Sequence, residues 1–527
     1  MLAGVLGFVS VTSERAVGQD AGPPNLLATA KVLFSTDGGE TFTSQAPVIA
    51  AGRVDTLWMV VAFEHVGRSD RSNTEPPTSL TFAYDAPASG YAIGLVLNGR
   101  GISLPLEGMN YRAVPGIDPK LLRPGDNTLK VGLTVRNRSR ENDLDFAPKV
   151  RLTPLDRYDL EFQTGPVMGA FGDGFFTLTC RTNMPARIAV YRWNGVDLQN
   201  ASLEDRLEGR EPLVETSLGL LHRLRVPWEE PPAADRFVVV AERDGFRVAT
   251  TLPAPVYPEG PFKFLVVGDN RTNVEVWQAV ATAAARAAAD AILMVHVGDM
   301  VTLGTRDWEW DRQFWLPGRV LLDHLPVYPV IGNHEANAPL YDSLFVGPAE
   351  DGGARNWAQE IGGILLVGID GQRDWTQGGA NAAWLEGTLS RSEARFTFLF
   401  SHYPAWSSAG HGRLNDEGLP RERPSREARE VIIPMLARHG AAAYVAGHDH
   451  DYERSELPGG VTGITCGGGG APLYEKTDDA ARQNPYSEVF ATRHHFCLFD
   501  VDNDAVTMRV LSVDGELIDS RTWSLRD

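Results

Sequence analysis

Five short motifs in the second half of the chain combine metal-ligating side chains with small or turn-forming residues. Each motif directly follows an apolar run, and these runs cover residues 264–267, 292–297, 327–331, 396–400 and 443–446. Aspartate, asparagine and histidine supply the oxygen and nitrogen atoms that divalent transition metals accept as ligands. The motifs are Gly268-Asp269, Gly298-Asp299, Gly332-Asn333-His334-Glu335, Ser401-His402-Tyr403-Pro404 and Gly447-His448-Asp449-His450.

The position of the motifs after apolar runs predicts where their side chains meet. In an α/β fold, ligands bind at the carboxyl ends of the strands, so residues just after a strand face the functional edge. Two carboxylates, one amide and three imidazoles at one edge would leave buried charge without partners unless cations neutralised it. The sequence therefore predicts a dinuclear metal site with the ligands Asp269, Asp299, Asn333, His402, His448 and His450.

Taken in order, these motifs resemble those of the metallophosphoesterase (calcineurin-like phosphoesterase) superfamily, in particular its purple acid phosphatase-like branch. The resemblance implies that Asp299 bridges two metal ions and that Asp269 and His450 complete the first site. The second site would be completed by Asn333, His402 and His448. The implied cofactor is a pair of divalent or mixed-valence ions of iron, manganese or zinc.

The same resemblance implies metal-dependent hydrolysis of phosphoric esters. A metal-bridging hydroxide would attack phosphorus, and His334 would act as the general acid that protonates the leaving alkoxide. Glu335 either orients this imidazole or is a solvated loop carboxylate. Arg271 either clamps phosphate oxygens with its planar guanidinium or pairs with a structural carboxylate.

Two positions depart from the family pattern. Purple acid phosphatases carry a tyrosine three residues after the bridging aspartate, where this chain has Thr302. Other members have Asp-x-His at the first motif, where this chain has Asp269-Asn270-Arg271. The first metal therefore lacks an obvious fourth protein ligand. Without a tyrosinate we expect no purple colour and a weaker preference for ferric iron.

Several other residues have two interpretations that the sequence leaves open. His494, His495 and His411 either line the site or lie at the surface, and Trp357, Trp406 and Tyr474 either pack on a leaving group or anchor loops. Cys466 and Cys497 either pair or are two small buried side chains.

The surrounding segments predict three domains after a leader. Residues 1–24 are expected to be a leader or signal peptide. Residues 25–155 are expected to form a β-sandwich, because Asn98-Gly99 separates two strand-like runs and 128–135 reads as a further strand. This domain resembles the jelly-roll modules of carbohydrate-active and surface enzymes. Residues 156–255, with strands expected at 175–179 and 237–241, resemble the fibronectin type III-like domain that precedes such phosphatases.

The expected fold class is thus two N-terminal β-sandwich domains followed by a four-layer α/β/β/α metallophosphoesterase domain at residues 256–527. The layering is implied by the resemblance. Prolines at 253, 255, 258 and 261 mark the boundary before this domain. Its alanine-rich segment 279–289 predicts a helix that covers the sheet.

The composition of the chain limits which molecules it can bind. Lys plus Arg number 49 and Asp plus Glu 68, a net charge of −19 that argues against nucleic acid as a surface-bound partner. Three cysteines are too few and too scattered for either a disulfide framework or a thiolate zinc site, and no apolar run is long enough for a transmembrane helix. We expect a secreted or periplasmic protein that acts on a small phosphate ester. Its N-terminal domain either is a structural spacer or contacts glycan or the cell envelope.

Three functions remain open at this stage. Phosphomonoesterase activity is the leading interpretation, and phosphodiesterase activity on the same site is the alternative. A surface glycan- or cell-wall-binding protein with a vestigial catalytic domain is the alternative from another class. The complete six-ligand set argues against a vestigial site.

Overall fold

The computed structural model describes residues 25–65, 77–85, 89–172, 174–193, 207, 209–228, 236–348 and 353–525. The expected leader at 1–24 lies outside these residues. None of the helices in the described part of the chain is long and apolar enough to cross a membrane.

The N-terminal region is built from antiparallel strands. Five of them form one sheet in the order β1-β3-β8-β5-β6, three form a second sheet in the order β10-β4-β7, and β2 pairs with β9. The strands are β1 (Lys31–Ser35), β2 (Val48–Ile49), β3 (Val54–His65), β4 (Ser79–Asp85), β5 (Ser89–Leu97), β6 (Arg100–Ile102), β7 (Ala113–Ile117), β8 (Gly125–Arg136), β9 (Leu144–Asp145) and β10 (Lys149–Leu155).

The predicted hairpin at Asn98-Gly99 is confirmed. β5 and β6 pair in antiparallel register on either side of these two residues. Asn98 has a φ of 52° and Gly99 a φ of 79°, and a type I′ turn requires positive φ at both positions. The strand expected at 128–135 is also confirmed, as the greater part of β8.

The next region is one six-stranded antiparallel arrangement organised around a single long strand. The first half of β12 pairs with β11 and β14, and its second half pairs with β13 and β15. The strands are β11 (Phe162–Gly172), β12 (Phe175–Trp193), β13 (Val214–Glu215), β14 (Gly219–Pro227), β15 (Arg236–Arg243) and β16 (Phe246–Pro253). β12 and β15 contain the runs that the sequence predicted as strands.

Two larger sheets make up the C-terminal region. The first has the order β19-β18-β17-β27-β28-β29 and the second the order β20-β21-β22-β23-β25-β24-β26. The first comprises β17 (Phe262–Val267), β18 (Ala291–His296), β19 (Val327–Pro329), β27 (His495–Val501), β28 (Ala505–Ser512) and β29 (Leu517–Ser524). The second comprises β20 (Trp357–Ile361), β21 (Ile364–Gly368), β22 (Phe396–Phe400), β23 (Ala443–Ala446), β24 (Tyr452–Glu456), β25 (Thr462–Cys466) and β26 (Ser487–Ala491).

Helices cover the outer faces of these two sheets. α1 extends from 274 to 287, so the helix expected at 279–289 is present and begins earlier. A π-helical segment joins α2 to α3, and another joins α6 to α7. The helices are α1 (Val274–Ala287), α2 (Asp307–Glu309), α3 (Leu316–Leu322), α4 (Pro339–Leu344), α5 (Ala380–Arg391), α6 (Arg423–Glu427), α7 (Ile433–Arg438) and α8 (Ala480–Gln483), with 3-10 turns at Pro119–Leu121, Arg157–Asp159 and Gly410–Gly412.

Alternating side chains show how the layers stack. Phe264 and Phe398 point between the two sheets, where their ring centroids lie 6.3 Å apart. Their neighbours Leu265 and Leu399 belong to the two outer cores beneath the helices. Because successive strand residues face opposite sides of a sheet, both sheets are buried on both faces. The order of layers is helix, sheet, sheet, helix.

The N-terminal strands contact the segment that follows β18. The Asn110 amide donates to the carbonyl of Thr305 at 2.7 Å, and the Asp307 amide donates to the carbonyl of Asn110 at 3.1 Å. From β12, Arg181 forms a buried ion pair with Asp307 at 2.6 Å. Both β regions therefore hold one segment of the C-terminal region in place.

Candidate metal centre

All five predicted motifs lie at strand ends, and the two large sheets both contribute. Asp269, Asp299 and Asn333 follow β17, β18 and β19, while His402 follows β22 and His448 and His450 follow β23. The structure brings the six predicted ligands together at one edge. Five of the six are buried, and Asn333 is partly exposed.

Sharp backbone turns aim these side chains at the edge. Asp269 and Asp299 both have a φ of 57°, and His448 has a φ of 73°. Positive φ is uncommon for residues other than glycine, and strained backbone of this kind clusters at functional sites. The neighbouring glycines leave room for the turns, since a Cβ on Gly332 would lie 2.3 Å from Oδ1 of Asp299.

Four ligand atoms converge in one half of the centre. Nε2 of His402 lies 3.3 Å from Oδ1 of Asp299, 3.0 Å from Oδ1 of Asn333 and 3.2 Å from Nδ1 of His448. Ligand atoms about 3.0 Å apart are what bonds of about 2.1 Å to one ion at right angles would give. We call this half the four-donor pocket.

The hydrogen bonds on the outer side of each imidazole show that lone pairs meet in this pocket. Nδ1 of His402 is 2.8 Å from the carbonyl of Val297, so it carries the ring proton and leaves a lone pair on Nε2. Nε2 of His448 is 2.8 Å from Oε2 of Glu422, so its Nδ1 has the lone pair. Acceptor atoms that face one another in a buried site need a cation between them. The donor set therefore fits a metal ion.

The other half of the centre contains an arginine. Oδ1 of Asp269 is 3.7 Å from Nε2 of His450, whose Nδ1 donates to the carbonyl of Pro472 at 2.7 Å. Arg271 enters this half: its Nε is 3.0 Å from Oδ2 of Asp299 and its Nη2 is 3.3 Å from Nε2 of His450. Of the two interpretations of Arg271, the structure shows the pairing with a carboxylate, and that carboxylate is Asp299.

Burial and neighbouring charges perturb the titration of these groups. Burial lowers the pKa of His402 to about 4 and that of His450 to about 3, which keeps both imidazoles neutral. Burial also raises the pKa of Asp269. Burial opposes ionisation of Asp299 too, but His402, His334 and Arg271 around it outweigh burial and hold its pKa below its usual range.

His334 lies beside the ligands with one face accessible. Its backbone amide donates to Oδ1 of Asp299 at 3.0 Å, and its Nδ1 donates to the carbonyl of Thr302 at 2.7 Å. This leaves Nε2, which lies 3.9 Å from Oδ2 of Asp299, on a side chain that is 28% exposed. The imidazole can therefore present a proton to a molecule bound at the edge.

Glu335 has neither of the roles that the sequence suggested. It is fully buried, so it is not a solvated loop carboxylate. Its two oxygens accept from the amides of Asp299 at 3.0 Å, Met300 at 2.8 Å and Gly332 at 2.6 Å. Glu335 thus ties together the two loops that carry Asp299 and Asn333, and burial raises its pKa to about 7.

Glu422 was missed by the sequence reasoning. Its carboxylate holds Nε2 of His448 at 2.8 Å and Nδ1 of His411 at 2.7 Å. His411 therefore lies against the site, with its ring centroid 3.8 Å from that of His448. Glu422 stands 26 residues before His448 in a run of arginines and prolines, so no spacing marked it as a partner.

The structure also shows where the other residues with two interpretations lie. Tyr474 stacks on His450 with centroids 4.2 Å apart, so it borders the site. Trp357 is buried in the core and donates to the carbonyl of Pro329 at 2.7 Å, and Trp406 packs under Arg429 with the guanidinium 4.6 Å from the ring centroid. Neither of these two contacts involves a predicted metal ligand. His494 is half-buried and bonds the carbonyl of Gly468 at 3.1 Å.

His495 is not a surface residue. It is fully buried, next to Cys466 and Cys497, whose Sγ atoms are 3.2 Å apart. The three side chains form a cluster with ligand atoms within 4.8 Å of one another. Both cysteines are free thiols, so they do not form a disulfide. They are 31 residues apart on strands of different sheets, and the expectation that the cysteines are too scattered to meet is wrong for this pair.

Three comparisons with known proteins bear on this geometry. Residues 262–452 match the family model described as calcineurin-like phosphoesterase. A stretch of 87 residues is 31% identical to tartrate-resistant acid phosphatase type 5 of Rattus norvegicus and 30% identical to that of Homo sapiens. These matches cover 16% of this chain and 23% of each relative, so the chain matches less than a quarter of the relatives' length.

A solved structure is similar over a larger span. A purple acid phosphatase isolated from yellow lupin (Lupinus luteus) seeds superposes with a TM-score of 0.59. The superposition covers 89% of this chain and 93% of the lupin protein at 14% sequence identity. This similarity is one of fold, and it includes N-terminal β strands as well as the C-terminal sheets.

Proposed function

We propose that this chain, whose residues 262–452 match the calcineurin-like phosphoesterase family model, is a metal-dependent hydrolase of phosphoric monoesters of the purple acid phosphatase-like branch. The observation that supports this most is the four-donor pocket, in which imidazole, amide and carboxylate atoms turn their lone pairs toward one point. His334 stands beside that pocket with an accessible face.

We propose that the centre holds two ions of iron, manganese or zinc. Asn333, His402 and His448 would hold one ion, Asp269 and His450 the other, and Asp299 would lie between them. When bound, the ions would supply a hydroxide nucleophile and stabilise negative charge on the phosphate. His402 and His450 are fixed for this role, because the carbonyls of Val297 and Pro472 hold their outer ring nitrogens.

The residues of the chain supply the proton transfer and the orientation. His334 would carry a proton on Nε2 and deliver it to the leaving alkoxide, since Thr302 already accepts from its Nδ1. Glu422 would keep His448 in the tautomer that turns Nδ1 inward. Arg271 would leave Asp299 when the second ion binds and contact a phosphate oxygen, which makes it a candidate for substrate binding.

The test combines metal analysis with two substrates. Purified protein should contain bound transition metal and release p-nitrophenol faster from p-nitrophenyl phosphate than from bis-p-nitrophenyl phosphate. Asp299→Asn should abolish both activities. A faster reaction with the diester would make the chain a phosphodiesterase. Protein without metal after supplementation, and without either activity, would support a vestigial site and a binding function instead.

The proposal extends to the domain boundaries of the chain. We propose that residues 25–155 and 156–255 form two separate β-sandwich domains, the second fibronectin type III-like, ahead of a domain at 256–527. The two N-terminal sheets and the split pairing of β12 support this division. Limited proteolysis should then cut between these segments before it cuts within them.

Export and envelope contact complete the proposal. We propose that residues 1–24 direct secretion or periplasmic export, and that the N-terminal strands contact glycan or cell envelope. Cell fractionation of the intact chain, and of a form that lacks residues 1–24, tests the first point. Co-sedimentation of the purified protein with cell-wall glycan tests the second.

A further inference from the structure

A cavity of about 580 Å³ lies between the N-terminal strands and the segment that follows β18. One wall comes from the N-terminal sheets and the other from residues 272–274 and 303–313. Five arginines line it, three from the first wall and two from the second: Arg112, Arg136, Arg138, Arg306 and Arg312. The volume falls within the range of small-molecule sites.

The charge of this cavity is opposite to that of the whole protein. Among the described residues that line it, Glu309 is the one carboxylate, so the lining has a net charge of +4. Oε1 of Glu309 is already held by Nη1 of Arg306 at 2.7 Å, and its Oε2 accepts from the Leu303 amide at 2.7 Å. In a chain with a net charge of −19, such a concave basic region concentrates anions.

The two walls are held in a fixed relation to each other. Asn110 exchanges backbone hydrogen bonds with Thr305 and Asp307, and its side chain donates to Oγ1 of Thr305 at 3.2 Å. The guanidinium of Arg112 lies 4.9 Å from the ring centroid of Trp308 on the opposite wall. Arginines positioned in advance lose less freedom on binding an anion.

The cavity adjoins the metal centre through two residues that line it. Thr272 directly follows Arg271, and its hydroxyl is 3.5 Å from that of Thr302. Gln313 accepts from the amide of Thr302 at 2.8 Å and from its hydroxyl at 3.0 Å. The carbonyl of Thr302 is the atom that holds the His334 imidazole. Thr302 therefore connects the lining of the cavity to the proposed general acid, since it contacts Gln313 on one side and His334 on the other.

We propose that this cavity binds a second phosphate group on the leaving group of the substrate. The inference rests on the proposed function and narrows it to phosphate esters whose alcohol carries another phosphate. Arginine is suited to this role because its planar guanidinium donates paired hydrogen bonds to phosphate oxygens. The arginine cavity thus determines substrate preference, while the metal centre carries out the hydrolysis.

The test compares two substrates that differ by one phosphate, glucose 1,6-bisphosphate and glucose 6-phosphate. Arg138 and Arg312 are exposed, so Arg138→Ala with Arg312→Ala should leave the fold intact. We expect this double variant to raise KM for the bisphosphate about tenfold, since hydrogen bonds to charged groups contribute at least this much. KM for glucose 6-phosphate should change less than about twofold. Arg140→Ala with Arg286→Ala, which removes two exposed arginines outside the cavity, is the matched control.

Each other result has a definite meaning. Equal changes for both substrates, or the same change in the control, would overturn the assignment. An altered inhibition by inorganic phosphate without altered substrate preference would show a site for free phosphate and would also overturn it. If the wild-type protein hydrolyses p-nitrophenyl phosphate but neither sugar phosphate, the inference fails. If it hydrolyses none of the three, the proposed function fails. Binding of tripolyphosphate to metal-free full-length protein then decides the cavity: loss of binding in the double variant supports an anion site, and equal binding refutes it.

Discussion

Nε of Arg271 lies 3.0 Å from Oδ2 of Asp299, so the carboxylate expected between two metal ions is already paired with a cation of the chain. The same guanidinium reaches Nε2 of His450 at 3.3 Å. Arg271 stands where other family members have a histidine ligand. The two halves of the centre therefore differ. The four-donor pocket needs a cation from outside the chain, whereas the other half already contains the guanidinium of Arg271.

This asymmetry predicts stepwise metal binding. An ion in the Asp269–His450 half must displace the guanidinium, so it should bind more weakly than the ion in the four-donor pocket. Arg271→Ala should tighten the weaker site by about tenfold or more, since a buried charge pair is removed from competition. Equilibrium dialysis with metal analysis measures both affinities, and Arg286→Ala serves as the control. A single affinity for two ions, unchanged by Arg271→Ala, would contradict the prediction.

The same variant tests substrate binding by Arg271. If the displaced guanidinium contacts a phosphate oxygen, Arg271→Ala should raise KM for p-nitrophenyl phosphate several-fold at saturating metal. Unaltered kinetics with both metal sites filled would mean that Arg271 does not bind the substrate and only pairs with Asp299.

Replacement of His334 should affect poor leaving groups most. His334→Gln should lower kcat for an alkyl phosphate by about 10²- to 10⁴-fold, because a general acid contributes this much when the alkoxide needs a proton. Nitrophenolate leaves without protonation, so p-nitrophenyl phosphate should lose far less. Steady-state kinetics on both substrates, at unchanged metal content, measures the difference. Equal losses on the two substrates would assign His334 to positioning alone.

Glu335 should matter for the stability of the centre. Glu335→Ala leaves three buried amides without an acceptor, which should lower the free energy of unfolding by on the order of 3 kcal/mol. Chemical denaturation measures this, with the exposed Glu430→Gln as the comparison. A loss below about 1 kcal/mol would mean that water replaces the carboxylate.

The buried His296 should make the free energy of unfolding depend on pH. Burial lowers its pKa to about 3, and the Gly298 amide donates to its Nδ1 at 3.2 Å, which fixes the neutral ring. Between about pH 6.5 and pH 3 the unfolded chain binds the proton that the folded chain excludes. The contribution of His296 to the free energy of unfolding is therefore fully present above about pH 6.5 and falls by about 1.4 kcal/mol per pH unit below it.

Denaturation of metal-free protein from about pH 7 down to about pH 5 tests this dependence. His296→Gln should be less stable near pH 7 and should show a smaller decline on acidification than the wild type. The exposed His324→Gln provides the control. A decline in His296→Gln as steep as that of the wild type would place the origin of the pH dependence elsewhere.

The metal-loaded protein should have no purple colour. Thr302 stands at the tyrosine position and bonds Gln313. Tyr474 and Tyr403 lie near the imidazoles, but burial raises the pKa of both phenols, so neither favours a tyrosinate. Loading with ferric iron should therefore give no charge-transfer band in the visible spectrum. The appearance of such a band would show that one of these tyrosines has moved to ligate the iron.

Much of the centre could be predicted because its chemistry is local in sequence. Asp269, Asp299, His402 and His448 each directly follow a strand, and strand ends in an α/β fold share an edge. The roles of Glu335 and Glu422 could not be predicted in this way. Glu335 looked like a loop carboxylate until its burial and its three amide partners were known, and Glu422 reaches His448 from a loop of its own.

The sequence by itself determined which residues are candidate ligands, the order of the strands that carry them and the absence of a tyrosine at position 302. These depend on residue identity and on the alternation of apolar runs with turns. Only the tertiary structure decided that Arg271 pairs with Asp299, that Cys466 meets Cys497, and that arginines from two regions line one cavity. Such relationships join segments far apart in the chain, and they depend on how sheets and loops pack, which residue spacing does not encode.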